Sequence, residues 1–447
     1  MPKLFGTDGI RGKFGFDLTE ELAETVGSSL VRLIKTTQTP KILIGMDTRE
    51  SSPLLCQAIS RGICAMGGDS FLLGVCSTPQ VAYLVQKNGF DAGVMISASH
   101  NPYQYNGIKI FGKNGIKLMD EEEKMIESNL ALLESGDMSG RELRYDEGSK
   151  EYVEYLKNCF GTTLDGLRIG IDCANGSATA TAKSIFSHLD AECYFLSDSP
   201  DGKNINFKCG STDTSTLSEF VVKNRLDVGI AFDGDADRCI AVDEYGKEID
   251  GDYIMAILAR RMKRLGSLQK NALVATVMSN MGLADFCKEN DIDLVTVGVG
   301  DRQVLEMMIK SDYSLGGEQS GHIIMRELTS TGDGQLTALA LLSEIKESGK
   351  SLSALAACMK KYPQYSVNIE ADEKAKTTFK SSEKIKYAIA EAKGAMCNNG
   401  RLIIRPSGTE SLIRIMAEGD EDEIKALCNS LAEKVVTLLR SEGAMGQ

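Results

Sequence analysis

The sequence predicts an α/β protein with three similar mixed α/β domains and a smaller C-terminal α+β domain. Short runs rich in β-branched residues alternate with helix-length stretches, which is the pattern of α/β units. The pattern begins near residue 41 and restarts near residues 167 and 272. After Pro363 the runs change to the style of a small α+β domain. A chain of 447 residues has room for this number of domains.

The first block opens with a predicted strand over 41–45. A helix is predicted over 51–66, because its apolar residues have helical spacing and Pro53 falls in the first turn. A strand over 71–75 follows, and Thr78-Pro79 opens the next helix. This order of elements is that of a repeated α/β unit.

The later blocks repeat this order of elements and then leave it. In the second and third blocks we predict strands over 167–171, 227–232, 272–276 and 294–297, and helices over 177–189 and 282–288. In the last block we predict strands over 367–369, 401–404 and 412–415, and helices over 382–393 and 421–439. The predicted domains are therefore 1–154, 155–253, 254–368 and 369–447.

Composition excludes several classes of protein. A net charge of −13 argues against a nucleic-acid partner, because binding to a phosphate backbone needs a basic face. The sequence holds no apolar run near the roughly 18 residues of a membrane span and no apolar signal core, so we expect no membrane partner and a cytoplasmic location. Twelve scattered cysteines without a CxxC pair, and only three histidines, argue against disulfides and zinc.

A serine follows a predicted strand in the run Ser97-Ala98-Ser99-His100-Asn101-Pro102. The apolar segment 92–96 precedes this run, and Lys109 lies ten residues beyond Ser99. A serine held at the mouth of a strand, near a basic group, can carry a covalent intermediate. Taken alone, the run is also typical of a turn rich in Ser and Asn.

Three carboxylates follow the predicted strand that ends at Phe232. Asp233, Asp235 and Asp237 occupy alternate positions, and carboxylates so close repel one another unless a cation lies among them. Hard oxygen ligands of this kind select Mg²⁺ or Ca²⁺. We therefore predict a divalent metal site on this loop.

Two other interpretations of this loop stay open at the level of the residues. A calcium loop that begins at Asp233 would place Glu244 at its twelfth position, but its sixth position, which needs glycine, holds Arg238. A strand followed by Asp-x-Asp is also similar to the nucleophile loop of haloacid-dehalogenase-type phosphatases. Asp233 would then be the nucleophile and Asp235 the acid, but the third aspartate and Arg238 do not suit that pattern.

Two further loops carry polar side chains between glycines. In 316–322, Glu318, Ser320 and His322 offer an acceptor, a hydroxyl and a titratable ring, a set that suits sugar hydroxyls. In 405–410, an arginine can grip a phosphate and the backbone around a glycine can form an anion nest. The candidate phosphate ligands are Arg405, Ser407, Gly408, Thr409 and, after the loop, Arg414. Each run alone is also typical of a polar turn.

Smaller clusters present single arginines on tight turns, namely 6–12 with Arg11, 47–49 with Arg49, and 300–302 with Asp301 and Arg302. Together with these clusters, the four loops resemble, in their order, those of the α-D-phosphohexomutase family. The matching strings are SASHNP for the phosphoserine loop, DGDADR for the metal loop, GEQSGH for the sugar loop and RPSGTE for the phosphate loop. The resemblance runs from Leu4 to about Met416. It implies three similar α/β domains and a smaller fourth domain around a central active-site cleft.

The resemblance also implies a role for each matching residue. Ser99 would carry the phosphoryl group, and Asp233, Asp235 and Asp237 would bind Mg²⁺ together with a phosphoserine oxygen. The implied catalytic residues are Ser99, His100, Arg11, Lys109 and His322. The implied substrate ligands are Arg238, Asp301, Arg302, Glu318, Ser320, Arg405, Ser407, Gly408, Thr409 and Arg414.

The implied reaction moves a phosphoryl group between two hydroxyls of a sugar through a 1,6-bisphosphate. The stretches 4–12, 276–280 and 317–322 are most similar to family members that act on a hexosamine phosphate, with glucose or mannose phosphates as the alternative substrates. The chain departs from the family pattern at Ser411, Tyr105 and Asp213-Thr214, and none of these changes removes a catalytic group. A homodimer is an oligomeric state that the sequence leaves open.

Overall fold

The structure is a computed structural model that describes residues 4–6, 8–34, 38–130, 139–396, 400–406 and 411–445. The chain forms two compact units. The first unit comprises Met1–Ser279 and Cys287–Cys358, and the second comprises Asn280–Phe286 and Met359–Gln447. Within the described ranges, no helix has both the length and the apolar composition that a membrane crossing requires.

The first sheet combines parallel and antiparallel strands. Its strands are β1 (Phe5–Gly6), β2 (Gly9–Lys13), β3 (Lys41–Met46), β4 (Asp69–Val75), β5 (Ala92–Ile96), β6 (Tyr105–Gly112) and β7 (Glu142–Arg144), in the spatial order β1-β2-β6-β5-β3-β4-β7. Its helices are α1 (Glu20–Leu33), α2 (Ser52–Ala65), α3 (Thr78–Asn88), α4 (Asp120–Asn129) and α5 (Gly148–Cys159). β3 runs parallel to β4 and β5, whereas β6 runs antiparallel to β5.

Alternation along β3 explains why helices cover both faces of this sheet. Ile42 and Ile44 belong to the core cluster that α1 and α2 share, while Leu43 points to the other face and packs with α3. The start of α3 is fixed by Ser77, whose hydroxyl accepts a hydrogen bond from the backbone of Gln80 at 3.3 Å. The first strand–helix repeat therefore follows from its apolar pattern and its cap.

The second sheet has the order β12-β11-β10-β8-β9. Its elements are β8 (Arg168–Asp172), α6 (Ala182–Phe186), β9 (Glu192–Leu196), α7 (Ser215–Asn224), β10 (Val228–Phe232), β11 (Cys239–Asp243) and β12 (Glu248–Ile249). The helix predicted over 177–189 is interrupted. A 3₁₀ turn over Ser177–Ala180 precedes α6, because Thr181 leaves the helical region at φ −128° and its hydroxyl bonds Gln335 at 3.0 Å.

The third sheet has the order β14-β13-β15-β16. Its elements are α8 (Gly251–Arg264), β13 (Ala272–Thr276), α9 (Met281–Glu289), β14 (Asp293–Val297), α10 (Asp301–Ser311), β15 (Leu315–Gly317), β16 (Ile323–Met325), α11 (Gly334–Ser348) and α12 (Leu352–Ala356). Short 3₁₀ turns occupy Gly210–Thr212 and Gln269–Asn271.

The C-terminal elements form an antiparallel sheet with the order β17-β19-β18, packed against helices. They are β17 (Gln364–Glu370), α13 (Glu373–Ser381), α14 (Glu383–Ala395), β18 (Arg401–Pro406), β19 (Leu412–Glu418) and α15 (Glu421–Ser441). The predicted fold class, α/β with a smaller α+β domain at the C-terminus, is confirmed. The predicted boundaries after residues 154, 253 and 368 lie inside α5, α8 and β17, so the domain division stays a prediction.

Candidate active site

The same local arrangement occurs in each of the first three sheets. A parallel strand ends, a polar loop follows, and the chain returns as an antiparallel strand. The strand pairs are β5–β6, β10–β11 and β15–β16. The loops between them carry Ser99, Asp233 and Glu318. Crevices at the carboxyl ends of strands are the usual ligand sites of α/β sheets.

Ser99 is buried and lies against the aspartate loop. Its Oγ donates a hydrogen bond to Asp233 Oδ2 at 2.6 Å and lies 3.3 Å from His100 Nδ1. Its backbone is left-handed, with φ 51°, an unusual conformation for a serine. The structure therefore brings together the candidate phosphoserine and the candidate metal ligands, which are 134 residues apart in sequence.

Asp233, Asp235 and Asp237 form a buried group that suits a divalent cation. One carboxylate oxygen of each lies within 4.8 Å of the others. Asp235 Oδ1 and Asp237 Oδ1 are buried and accept no hydrogen bond from the part of the chain that the structure describes. Burial and the carboxylates of Asp237 and Asp235 raise the pKa of Asp233 well above its ordinary value. Oxygen ligands with unused lone pairs fit a hard cation.

Lys109, on β6, supplies positive charge to this group. Its buried ammonium lies 2.8 Å from Asp235 Oδ2, 3.1 Å from Asp237 Oδ2 and 3.2 Å from Asp8 Oδ2. Burial alone would lower the pKa of Lys109, but Asp235, Asp237 and Asp8 raise it well above its ordinary value. Lys109 therefore keeps its proton and balances charge.

A chain of ion pairs continues from Lys109 toward the third sheet. Asp8 contacts Lys117, whose ammonium also bonds Asp301, the first residue of α10. The ring of His322 lies between two carboxylates, 3.6 Å from Asp237 Oδ1 and 3.7 Å from Asp301 Oδ2. The backbone N–H of Gly332 donates to His322 Nε2 at 3.0 Å, which leaves Nδ1 facing Asp237.

Three predicted residues flank the serine and the aspartates. Burial, Arg238 and Arg11 lower the pKa of His100 to about 4, so its ring is neutral near pH 7. The backbone of Arg238 donates to Asp233 Oδ1 at 3.2 Å. The guanidinium of Arg11 is paired with Asp8. All three therefore belong to the neighbourhood of Ser99.

The turn between β15 and β16 presents the candidate sugar ligands. Burial raises the pKa of Glu318, and its carboxylate accepts a hydrogen bond from the backbone of Gly300 at 3.3 Å. Ser320 is exposed on the same turn. The guanidinium of Arg302 is held by Asp120 and Glu123 of α4. Glu318 and Ser320 are thus placed on one turn, whereas Arg302 is directed to α4.

The candidate phosphate ligands belong to the second unit. Arg405 on β18 and Arg414 on β19 lie directly opposite each other in the strand register. Like charges directly opposite each other in a sheet repel. Ser407, Gly408 and Thr409 lie outside the described residues.

Several polar residues near the site were not predicted. Thr78 donates to Asp235 Oδ2 at 2.5 Å, and its backbone N–H donates to the carbonyl of Asp235 at 3.0 Å. Asp8 and Lys117 connect Lys109 to Asp301. The glycine-rich turn around Asp8 was a signal that this residue could lie at a site. Thr78 and Lys117 belong to no motif that would have marked them.

Comparison with protein-family models gives four matches along the chain. They are phosphoglucomutase/phosphomannomutase alpha/beta/alpha domain I over 2–136, domain II over 150–246, domain III over 250–362 and the C-terminal domain over 367–434. The chain belongs to the phosphoglucomutase/phosphomannomutase family, the phosphohexomutases. The resemblance inferred from the four loops is confirmed.

The relatives described next are similar to this chain over nearly its whole length, and they share one name. A phosphoglucosamine mutase of Caldicellulosiruptor bescii is 48% identical, over 98% of this chain and 100% of the relative. Phosphoglucosamine mutases of Brevibacillus brevis and Clostridium acetobutylicum are each 46% identical, over 97% of this chain and 99% of the relative.

Solved structures share the fold. A phosphoglucomutase/phosphomannomutase family protein from Burkholderia thailandensis superposes with a TM-score of 0.82 at 22% identity, covering 98% of each chain. An N-acetylphosphoglucosamine mutase of Aspergillus fumigatus, solved with GlcNAc-6P and magnesium, gives a TM-score of 0.67 at 18% identity, covering 97% of this chain and 95% of the other.

Proposed function

We propose that the protein interconverts glucosamine 6-phosphate and glucosamine 1-phosphate through phosphorylated Ser99. The observation that carries the reaction type is the 2.6 Å contact between Ser99 Oγ and Asp233, inside a buried group of three aspartates. The substrate is supported by the name shared by relatives that are 45–48% identical over nearly the whole chain. The product would serve synthesis of an activated amino sugar for the cell wall.

The cofactor is Mg²⁺, held by Asp233, Asp235 and Asp237 with a phosphoserine oxygen as a further ligand. The unused oxygens of Asp235 and Asp237 support this ligand set. When bound, Mg²⁺ neutralises charge on the transferring phosphoryl group. Magnesium is present with GlcNAc-6P in the Aspergillus fumigatus structure.

The reaction consists of two transfers that leave the enzyme unchanged. In the first, the free C1 hydroxyl of glucosamine 6-phosphate attacks the phosphoserine, and its O–P bond forms as the Ser99 O–P bond breaks. The proton of the sugar hydroxyl passes to Ser99 Oγ. The 1,6-bisphosphate then turns over in the site. In the second transfer, Ser99 Oγ attacks the 6-phosphate, and its O–P bond forms as the O–P bond to the C6 oxygen breaks. The proton of Ser99 passes to the C6 oxygen, which regenerates phosphoserine and gives glucosamine 1-phosphate.

The side chains around Ser99 have two roles: some balance charge and others exchange protons. Lys109 remains protonated and offsets the charge of the aspartates and the phosphoryl group. Neutral His100, beside Ser99 Oγ, and His322, between Asp237 and Asp301, are the candidates to exchange protons. Arg11 adds positive charge near Asp8.

Substrate contacts come from the turns of the second and third sheets and from the C-terminal domain. We assign binding of the sugar to Arg238, Asp301, Arg302, Glu318 and Ser320. We assign binding of the phosphate that is not transferred to Arg405, Ser407, Gly408, Thr409 and Arg414. The opposed pair Arg405 and Arg414 supports the second assignment. Arg302 would have to leave Asp120 and Glu123 to bind substrate. A reducing cytoplasm suits the free cysteines, and a homodimer is the oligomeric state to test.

The test is a coupled assay that compares glucosamine, glucose and mannose 6-phosphates with wild-type protein and Ser99→Ala. Glucosamine 6-phosphate should have the highest kcat/KM, and glucose 6-phosphate should react more slowly, because an ammonium and a hydroxyl at C2 differ little in size. Ser99→Ala should lose all turnover while its urea unfolding stays that of the wild type. A higher kcat/KM for glucose or mannose phosphate would overturn the substrate assignment.

A second measurement separates this mechanism from a phosphatase that uses Asp233. The phosphorylated enzyme is isolated and treated with hydroxylamine, which cleaves an aspartyl phosphate and leaves a phosphoserine intact. The wild-type protein should keep its phosphoryl group, and Ser99→Ala should carry none. Release of the phosphoryl group by hydroxylamine would assign the covalent step to an aspartate.

A further inference from the structure

Two side chains, one on the loop after β3 and one on the loop after β9, bind the same two carbonyl groups of the loop that carries Ser99. Arg49 Nη2 donates to the carbonyl oxygens of Ser99 and Asn101 at 3.0 and 2.6 Å. Asn206 Nδ2 donates to the same two oxygens at 2.9 and 3.3 Å. We call these four hydrogen bonds the carbonyl clamp. It fixes the peptide that follows Ser99 from two directions.

Arg49 is built into the core of the first domain. Its side chain and that of Asp47 are both fully buried and form an ion pair, so the charge of Arg49 is balanced before it reaches the loop. Its Nη1 also lies 3.3 Å from Ser97 Oγ, which accepts a hydrogen bond from the backbone of Ser99 at 2.9 Å. The rigid guanidinium fork can hold several acceptors at once, which an ammonium cannot.

The clamp acts at Ser99, a residue whose backbone conformation is unfavourable without support from its surroundings. Ser99 has φ 51°, and a serine reaches this left-handed region only when its surroundings hold it there. The clamped carbonyl and the catalytic Oγ belong to the same residue. Loss of the clamp therefore lets Ser99 rotate, and its Oγ moves away from Asp233.

The metal loop packs against the same peptide. A Cβ placed on Gly234 would lie 2.5 Å from the carbonyl oxygen of Ser99 and 2.9 Å from Asn206 Nδ2. The clamped carbonyl of Ser99 therefore lies at the contact between the serine loop and the metal loop. Asn206 itself has φ 58°, and its backbone N–H is bonded to the carbonyl of Ala174 at 2.9 Å, so its position is also fixed.

We propose that Arg49 and Asn206 are positioning residues that hold phosphorylated Ser99 in line for transfer. This inference rests on the proposed function of Ser99. Both act through the backbone of Ser99, so their loss should lower kcat while KM for the sugar phosphate stays nearly constant. A displacement of about 1 Å at a reacting atom can cost up to about a hundredfold in rate.

The sharpest test is Asn206→Asp, which keeps the shape of the side chain and replaces the donor amide with a carboxylate that repels both carbonyls. Asn206→Gly removes the donor without adding charge and suits φ 58°. The matched control is Asn204→Asp, on the same loop, whose side-chain amide donates instead to the carbonyl of Ser199. We expect kcat to fall about ten- to hundredfold in both Asn206 variants, with KM within about twofold of wild type and with the Tm of the control.

Arg49→Lys tests the two hydrogen bonds that Arg49 donates to the clamp. The lysine keeps a positive charge beside Asp47 but lacks the planar set of guanidinium donors. The double variant Arg49→Lys/Asn206→Gly should be less impaired than the product of the two single losses, since both residues hold the same carbonyls. Wild-type turnover, measured in parallel, tests the proposed function separately. A kcat for Asn206→Asp and Asn206→Gly equal to that of Asn204→Asp, or a rise in KM at unchanged kcat, would overturn the clamp.

Discussion

Lys109 shows how one buried side chain sets the electrostatics of the site. Its ammonium lies within 3.2 Å of three carboxylates, and with the raised pKa it stays charged at neutral pH. In this state Lys109 offsets the negative charge of the aspartates. Lys109 and the two nearby histidines are the residues to compare as acceptors of the proton from the sugar hydroxyl.

At the same scale, Arg405→Ala should weaken substrate binding. Loss of a charge-assisted phosphate contact costs roughly 1.5–3 kcal/mol, about ten- to a hundredfold in affinity. Binding is measured by titration with the sugar phosphate, while Mg²⁺ affinity and Ser99 phosphorylation should stay at wild-type levels. Arg440→Ala, an exposed arginine at the end of α15, is the control. Unchanged affinity in Arg405→Ala would place the phosphate contact elsewhere.

Asp333 should make stability depend on pH. It caps α11, accepts a hydrogen bond from Tyr152 at 2.7 Å, and burial raises its pKa to about 6. A carboxyl whose pKa is higher in the folded than in the unfolded state stabilises the fold at low pH, and this contribution disappears as pH rises through about 6.

Asp333→Asn removes this titration and keeps a capping side chain. Between pH 5 and pH 8 the wild type should lose roughly 1–2 kcal/mol of unfolding free energy relative to the variant. Urea unfolding of both proteins at the two pH values measures this change. If the unfolding free energies of the two proteins differ by the same amount at pH 5 and pH 8, Asp333 is not the group that titrates.

At the scale of elements, the repeated strand, loop and antiparallel strand brings each functional loop to the edge of a sheet. The loops can meet only if backbone approaches backbone closely, and Gly234 is the point of contact with Ser99. A side chain at this position would have to displace a carbonyl group and not a flexible side chain. The separation of the serine loop from the metal loop therefore depends on one hydrogen atom in place of a methyl group.

Gly234→Ala should reduce kcat at least tenfold, because its Cβ would lie 2.5 Å from the carbonyl oxygen of Ser99 and force the loops apart. Gly161→Ala is the matched control, since a Cβ there meets no described atom within 4 Å. Both variants are compared by steady-state kinetics and by the metal concentration that gives half-maximal activity. If Gly234→Ala keeps wild-type kinetics, the close approach of the loops is unimportant for transfer.

The sequence allowed the functional loops to be predicted because each is a continuous run after an apolar strand. It did not reveal β6 or β16. Buried polar residues, Asn106 and Lys109, interrupt the apolar alternation of β6, and β16 has only three residues. Thr78 and Lys117 were missed for a related reason, since the fold alone brings such isolated polar residues to the aspartates.

At the scale of the whole molecule, three buried carboxylates lie close together in a chain of net charge −13, so they repel one another and a bound cation relieves that repulsion. Mg²⁺ should therefore stabilise the protein, by about 2.7 kcal/mol at a hundred times its Kd. Exhaustive chelation should abolish turnover and lower Tm, and added Mg²⁺ should restore both.

Asp235→Asn removes one anionic ligand, so it should need more Mg²⁺ for half-maximal activity and should show a smaller rise in Tm with the metal. Asp227→Asn, directly before β10 and away from the metal loop, is the control. Full activity after chelation would contradict the metal site.

The ion-pair chain from Asp8 through Lys117 to Asp301 has a consequence for synthesis of the protein on the ribosome. Lys117 and Asp301 are 184 residues apart, so the first domain emerges long before one of the two partners of its buried lysine exists. The nascent first domain therefore presents Lys117 to water on the side that Asp301 later covers. Completion of this charge network waits for translation of the third domain.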